Sequence, residues 1–413
     1  MTRLIPPTAA VAAALLALAL PACPELDDDD SGAEDPLDVV TVDARPGKRS
    51  EVWAVADAAS NSIVIFGGND GPIVNQIPSA RYLDDTWVFE PGEGWTEVEG
   101  ESPSARGRYA TAYDESGGRM FLFGGRWRQE GTTGNYTLHS DLWSFDFGTR
   151  IWTEIDTTGG PSGRYYPAAA WQDDTLFVYG GATNADPLRI QPSRELWAWT
   201  EAGGWEERST SGDAPSSRVF FGTAHDTTRG RLVLFAGQRG DFQSQAYNDL
   251  FALDLDSGEW VELHNGGSDA PFTRMHPAVQ YDEARDRLML FGGHTDIGDD
   301  NDYWVFEMDG DEWDLIDEAD VLAGGLGCRD NPSEVPADFV EMDLSAPERR
   351  HRGMHAVMHD SLWIFGGMHA ECSDHLDDTW RMDIATARWV ELIEARTGES
   401  CLRRDDDCEC LCN

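Results

Sequence analysis

The hydrophobic and polar positions of this chain repeat as a block of four short segments, each typical of a β-strand. In the second copy, residues 109–113 form the first segment, and the continuous apolar run 120–123 indicates a strand buried on both faces. Residues 141–145 alternate with a period of two, and residues 152–155 supply the fourth strand. No segment of the block has helical periodicity, so the pattern predicts a four-stranded antiparallel meander.

A pair of small residues, almost always two glycines, ends the apolar run of every copy. The first members of the pairs lie 56 or 57 residues apart, except for a final interval of 74 residues. A period this regular indicates one supersecondary unit copied six times. The six pairs are Gly67-Gly68, Gly124-Gly125, Gly180-Gly181, Ala236-Gly237, Gly292-Gly293 and Gly366-Gly367.

Six such units could stack as a solenoid or close into a ring, and regular glycine and aromatic motifs favour the ring, which leaves few exposed edges. The apolar run, the double glycine and the spaced aromatic–Trp pair resemble the Kelch-repeat family over residues 49–392. The resemblance implies an all-β, six-bladed, galactose oxidase-like propeller with four antiparallel strands per blade. The fourth copy departs from the pattern at Ala236 and Phe251. Residues 38–43 resemble an extra outer strand, which could close the ring beside the last blade.

The first 22 residues are typical of a secretory signal peptide, with Arg3 before an apolar stretch too short to span a bilayer. The sequence ending in Cys23 resembles a bacterial lipobox, which implies a lipidated Cys23. An ordinary signal with an incidental cysteine is the alternative. Residues 23–45 are predicted to be a disordered acidic linker, 46–395 the propeller and 396–413 a Cys-rich tail. We therefore expect an extracytoplasmic bacterial lipoprotein of the outer membrane or cell surface.

The chain is strongly acidic, with a net charge of −45 and a pI of about 4.3. Such a charge disfavours nucleic acid and anionic membrane surfaces as partners. The membrane is therefore expected to be contacted only through the lipid, and the partner to be a protein or carbohydrate at the envelope. Solubility or a saline habitat explains the acidity more simply than an acid-specific binding role.

Six cysteines remain after Cys23, and an even number in an exported protein predicts disulfides. Cys328 and Cys372 fall in loops that a meander places on the same face, so we favour that pair. A metal site in the tail is the competing interpretation, but no histidine is near it in sequence. No metal or cofactor is predicted. The disulfide candidates are Cys328, Cys372, Cys401, Cys408, Cys410 and Cys412.

Charged residues also recur with the repeat. An arginine begins each copy, and it either binds carbonyls and acidic residues of a neighbouring blade or forms a cationic ring at the channel mouth. We favour the structural role. An acidic residue before each third strand either bonds backbone amides or, at Asp299–Asp302, binds calcium; the spacing does not match a calcium loop. The arginines are Arg49, Arg106, Arg164, Arg218, Arg274 and Arg352.

Positions that vary between copies are better candidates for a specific site. Two residues after each arginine, the strand alternation directs a varied set toward the channel mouth, and long loops follow the glycine pairs on the same face. The varied set is Glu51, Arg108, Tyr166, Phe220, His276 and Met354. The loop candidates are Arg126, Trp127, Arg128, Tyr136, Arg239, Phe242, Tyr247, His294, Asp296, His369, Glu371 and His375.

Three functions are compatible with these features. A non-catalytic binding module needs only the ring and its loops, and it is the function we favour. The alternative is a carbohydrate-active enzyme, because some bacterial propellers of this type resemble sialic-acid epimerases; Glu51, Arg108 and His276 could supply the needed groups. Copper-radical chemistry needs a cysteine in the site, and none lies between Cys23 and Cys328. A structural spacer of the envelope is the third possibility.

Overall fold

The computed structural model describes residues 44–74, 77–240, 246–296, 298–318, 346–369 and 374–394. These residues form six small antiparallel sheets arranged as the blades of a propeller, which confirms the predicted all-β fold. Among them there is no helix long and apolar enough to cross a membrane. All seven cysteines, and the extra strand expected at 38–43, lie outside the described residues.

Each blade is built from consecutive strands, with the first at the axis and the fourth at the rim. Their bounds are Ala54–Asp57, Ser62–Asn69, Tyr82–Glu90 and Gly94–Val98 in blade 1; Ala110–Asp114, Arg119–Phe123, Leu142–Asp146 and Ile151–Ile155 in blade 2; Tyr165–Gln172, Thr175–Ala182, Leu196–Thr200 and Gly204–Arg208 in blade 3; Gly222–Asp226, Arg231–Phe235, Leu250–Asp254 and Glu259–His264 in blade 4; Ala278–Asp282, Arg287–Thr295, Gly298–Glu307 and Trp313–Asp317 in blade 5; and Met354–Met358, Ser361–His369, Asp374–Asp383 and Arg388–Ile393 in blade 6.

Several short strands are present in addition to the four strands of each blade. Ile73–Val74 pairs with Ile77–Pro78, and Arg126–Trp127 pairs with Thr137–Leu138, so two of the loops after the glycine pairs are small hairpins. Arg274–Met275 extends the pairing along the second strand of blade 5, and Ser211–Gly212 runs parallel to the rim strand of blade 4.

The glycine pairs are required where a second strand leaves its blade. Gly67 has a φ of +58°, and an added Cβ would lie 2.7 Å from the carbonyl oxygen of Leu83. The pairing with the third strand shifts register at this point. A left-handed residue with no room for a side chain favours glycine strongly. Ala236 nevertheless occupies the equivalent position of blade 4 with a φ of 62°.

The core lies between neighbouring blades, where the rim-strand Trp of one blade packs on the aromatic residue before the small-residue pair of the preceding blade. Ring centroids lie 4.8–5.3 Å apart in tilted or edge-on geometry, which adds to the burial of apolar surface. The pairs are Trp95–Phe365, Trp152–Phe66, Trp205–Phe123, Trp260–Tyr179, Trp313–Phe235 and Trp389–Phe291. Because Trp95 of blade 1 contacts Phe365 of blade 6, the ring closes with the same contact as every other junction.

The repeated arginines are structural. The guanidinium of Arg106 donates to the carbonyl of Gly124 at 3.1 Å and to both carboxylate oxygens of Asp141 at 2.6 and 2.8 Å. The expectation of a carboxylate from a neighbouring blade was wrong, because the partner belongs to the same blade. The backbone of Arg106 instead joins the blades, since its carbonyl accepts from the amide of Gly68. The pairs are Arg49–Asp85, Arg106–Asp141, Arg164–Glu195, Arg218–Asp249, Arg274–Asp302 and Arg350–Asp378.

The sixth member of this set is therefore Arg350, and the assignment of Arg352 to it was wrong. The same carboxylates accept a hydrogen bond from the indole two residues later in five blades, as Trp87 donates to Asp85 at 2.7 Å. This double role explains why an acidic residue precedes each third strand. Asp302 is used in this way, and Asp299 binds histidines instead, so the acidic run does not converge on a common calcium position.

Candidate functional site

The loops after the glycine pairs and the connections between blades share one end of the ring, here called the top face. Inside the ring, the first strands enclose an axial channel with a cavity of about 1020 Å³. Small side chains such as Ala110 and Ala168 line its walls, and it extends to the turns between the first and second strands, at Glu115 and Asp173, which lie at the end opposite the top face. Larger residues line the cavity at its top-face end, among them Trp53 and Tyr166.

Six residues close this end, and each has left-handed backbone geometry although none is glycine. Their φ values lie between 54° and 64°. Such geometry is uncommon for large side chains and concentrates at functional sites. The six are Glu51, Arg108, Tyr166, Phe220, His276 and Arg352. Met354 was wrongly placed in this set because the sixth copy had been aligned on Arg352 instead of Arg350.

The charged part of this ring is a single carboxylate surrounded by three guanidinium groups. Glu51 is fully buried and binds Arg108 directly. Arg126, the residue directly after the second glycine pair, lies 3.3 Å from the same carboxylate oxygen, and Arg352 lies 3.9 Å from it. We call Glu51, Arg108, Arg126, Tyr166, Phe220, His276 and Arg352 the axial cluster.

The electrostatics of the axial cluster show an excess of positive charge. Burial opposes ionisation of Glu51, but the neighbouring guanidiniums outweigh it and hold its pKa well below the usual range. Burial lowers the pKa of Arg352, and repulsion from Arg108 and Arg126 adds to that shift. Several buried polar atoms also have no hydrogen-bond partner within the described part of the chain: Glu51 Oε2, Arg108 Nε, Arg126 Nε, Arg352 Nε and the Tyr166 hydroxyl.

Aromatic rings form the other half of the cluster. The guanidinium of Arg108 lies 4.6 Å from the ring centroid of Tyr166, within cation–π range. Tyr166 in turn contacts Phe220 at 5.1 Å and His276 at 5.0 Å. Burial lowers the pKa of His276 well below its ordinary value, and Arg352 adds to this, so the imidazole is neutral near pH 7.

A second group of side chains adjoins His276. His351, the residue after the repeated Arg350, has its ring 5.8 Å from that of His276 and 5.1 Å from that of His294. The Nδ1 atoms of His351 and His294 lie 2.8 and 2.7 Å from the same oxygen of Asp299. We call His294, Asp299 and His351 the His–Asp–His cluster.

Sequence reasoning found part of this site. It placed His294 among the loop candidates and Asp299 in a calcium hypothesis, and it did not select His351. Arg126 was also among the loop candidates, at the register directly after the glycine pair. Aligning copy six on Arg350 would have put Arg352 in the varied set, with His351 directly before it. The registers after the glycine pairs face these connections, as Met368 does in its pairing with His351.

The remaining loop candidates that the structure describes lie on the top face outside the axial cluster. Trp127 is 37% exposed, while Tyr136 is buried between the guanidiniums of Arg126 and Arg128, at 4.0 and 4.5 Å. The Nε2–H of His375 donates to the Gly71 carbonyl, 2.9 Å away, and so joins blades 6 and 1. The described loops also contain Arg239, Tyr247, Asp296 and His369, whereas Phe242 and Glu371 lie outside the described residues.

The comparison with known sequences identifies the architecture. Residues 37–188, 93–218 and 190–321 match the KLHDC2/KLHL20/DRC7 Kelch-repeats domain, and together these matches cover more than half of the chain. The chain belongs to the Kelch-repeat family.

Relatives of this Kelch chain are longer proteins. It is 26% identical over 350 residues to the leucine-zipper-like transcriptional regulator 1 homolog of Drosophila melanogaster, covering 82% of this chain and 31% of that protein. It is 25% identical over 301 residues to Kelch domain-containing protein 10 of Homo sapiens, covering 69% of this chain and 56% of that protein. The Kelch chain thus spans less than two thirds of these relatives.

A solved structure supports the fold. The structure of YjhT superimposes with a TM-score of 0.59 at 13% identity, covering 85% of this chain and 99% of that one. At this identity the likeness shows the fold alone.

Proposed function

We propose that this Kelch propeller is a non-catalytic binding module, held outside the cytoplasm by a lipid on Cys23, whose top face recognises a ligand with an anionic group. The observation that carries the proposal is the charge imbalance of the axial cluster. Arg108, Arg126 and Arg352 share the one carboxylate of Glu51. Buried charges are costly unless they are paired, so an anion from outside would complete the site.

The overall charge of the protein makes this cluster more informative. In a chain with a net charge of −45, most cations could find a carboxylate nearby. Three guanidiniums around one carboxylate are therefore a local exception. Arginine presents a planar fork that matches carboxylates and phosphates, which makes either group a suitable ligand.

The loops of the top face supply the contact area around this centre. Four large apolar side chains of these loops and blade connections are exposed: Val74 at 58%, Trp127 at 37%, Leu188 at 84% and Phe272 at 68%. Backbone contacts between loops, such as the Tyr136 amide to the Ala185 carbonyl at 2.9 Å, hold neighbouring loops together. Arginine and aromatic side chains near the centre of a surface patch are the residue types that most often anchor a partner.

The anionic-ligand proposal is tested by thermal unfolding of the full chain with a panel of carboxylates, phosphates and their neutral amide or alcohol counterparts at constant ionic strength. Binding to the folded state raises the melting temperature by mass action. At least one anion class should stabilise the wild type, and Arg352→Gln should abolish the effect. Ile151→Ala is the matched control, because it removes an exposed apolar side chain from the rim strand of blade 2, away from the top face, and leaves the axial cluster intact. Equal behaviour of anions and neutral counterparts would refute the proposal.

The lipid anchor is tested separately. Mass spectrometry of the mature N-terminus should find a lipid on Cys23, and Cys23→Ser should release the protein from the membrane fraction. Recovery of unmodified Cys23 would remove the anchor from the proposal without affecting ligand binding.

The alternative is a sialic-acid epimerase-like enzyme, favoured by the fact that Glu51, Arg108 and His276 belong to one cluster. Glu51 is poorly suited to proton transfer, because Arg108 binds it and its pKa lies well below the usual range. We therefore expect no conversion when the protein is incubated with sialic acid and the sugar is followed by NMR. Turnover that is lost in His276→Gln would establish the enzyme instead.

A further inference from the structure

We propose that the His–Asp–His cluster is a binding site for one divalent transition-metal ion of the zinc class. His294, Asp299 and His351 each offer one ligand atom, and these atoms all lie within 4.8 Å of one another. Two imidazoles and one carboxylate with a remaining open position form a recurrent donor set for zinc and related metals. The proposal rests on different residues from the anion site and does not depend on it.

The backbone fixes the three donors in place. His294 and Asp299 are cross-strand partners in the extension of the second and third strands of blade 5. His351 enters from the connection to blade 6, where its amide and carbonyl pair with Met368. The site therefore joins two blades, and its donors lie on rigid strand ends.

The burial of the three side chains suits a metal site. The side chains of Asp299 and His351 are 0% and 3% exposed, and that of His294 is 22% exposed, so solvent reaches the cluster only at His294 among the three. Imidazole nitrogens and carboxylate oxygens are both donors that zinc accepts.

One neighbouring positive charge disfavours a bound cation, and its removal should therefore change the metal affinity in a direction that can be predicted. Arg352 follows His351 directly and interacts with it electrostatically. Replacing this guanidinium by a neutral amide should therefore tighten metal binding. The same Arg352→Gln variant is expected to weaken anion binding, so the two proposals predict opposite changes in one protein.

The test is titration of the untagged, chelator-treated full chain with Zn²⁺ by calorimetry, repeated with Co²⁺ by absorption spectroscopy. One ion per chain should bind, and His294→Gln should weaken affinity about 100-fold, since even outer partners of metal ligands contribute 10–100-fold. His294 is chosen because it is partly exposed and the variant should fold. His225→Gln, on the channel wall, is the matched control and should bind as the wild type does.

The cysteine tail provides a rival location for a bound metal. A variant with Cys408, Cys410 and Cys412 all changed to serine should retain the ion if the cluster binds it. Loss of binding in that variant, with binding unchanged in His294→Gln, would overturn the proposal, as would the absence of binding to the wild type. Binding by Arg352→Gln that is weaker than wild type would also contradict it.

Discussion

The paired arginines allow a quantitative test of how the solvent exposure of the carboxylate determines what a repeated ion pair contributes to the stability of the fold. Asp302 binds Arg274 through two hydrogen bonds of 2.6 and 2.7 Å and also accepts from the Trp304 indole at 2.6 Å. In blade 3, Glu195 makes one bond of 2.6 Å to Arg164. The arginine is 0% exposed in both pairs, but the carboxylate is 6% exposed in Asp302 and 43% in Glu195.

Asp302→Ala should destabilise the protein by about 3–5 kcal/mol, because it leaves a buried guanidinium without its partner. Glu195→Ala should cost about 1–2 kcal/mol, because solvent already reaches that carboxylate and only one bond to a charged group is lost. The measurement is the shift of the urea unfolding midpoint, compared at unchanged slope.

A double variant distinguishes the loss of the ion pair from the cost of leaving a buried arginine without its partner. Replacing Arg274 by Met together with Asp302 by Leu removes both charges and should recover most of the loss, since an apolar pair of similar volume is often close to neutral. Equal costs for the two single variants would refute the dependence on exposure. A double variant as unstable as Asp302→Ala would show that the loss does not come from the unpaired arginine.

Three further predictions follow from backbone geometry and burial. Ala236→Gly should stabilise the protein by about 0.5–1 kcal/mol, because it relieves the strain of a left-handed alanine. Gly67→Ala should destabilise the protein, whereas Gly134→Ala, where the added methyl group meets open space, should be neutral. Chemical unfolding would measure the sign of the change in stability for each variant. Burial lowers the pKa of His355 from 6.5 to about 4. As the pH drops, the unfolded chain therefore binds a proton at this residue before the folded protein does, and stability falls between pH 6.5 and about 4. His355→Gln should flatten the dependence of the melting temperature on pH in this range. Arg352→Gln should leave stability unchanged or raise it, because the lost guanidinium is buried among other cations; a large loss in the melting temperature would contradict the excess of charge.

The fold could be predicted from the sequence because the residues that build it repeat. The glycine pairs, the rim-strand Trp and the arginines recur at nearly constant spacing, and each performs the same contact in every blade. The error at copy six has a physical origin. The long final interval removes the spacing as a guide, and Arg350 and Arg352 both fit the pattern by residue type. The Arg350–Asp378 pair and the left-handed backbone of Arg352 together show which arginine belongs to the channel.

The candidate site could be predicted only in part, because its members come from three different registers. Glu51, Arg108 and His276 share the position two residues after the repeated arginine, and alternation of the strand was enough to select them. Arg126 was expected only as a loop residue and His351 was not selected, because both occupy other registers and reach this region through contacts between blades. Pairing of this kind depends on the closed ring, and no local pattern in the sequence encodes it.

The two sets of arginines in this molecule differ in what they require from outside. The six repeated arginines have six carboxylates of their own, and each also binds a backbone carbonyl, so the fold satisfies them completely. The axial set places Arg108, Arg126 and Arg352 around one carboxylate, and the Nε of each has no hydrogen-bond partner among the residues that the structure describes. A ring can close without this second set, because the Trp contacts between neighbouring blades recur at all six junctions. Retaining buried, incompletely paired cations at the axis therefore opposes stability, and binding of an anion is the function that would compensate for it.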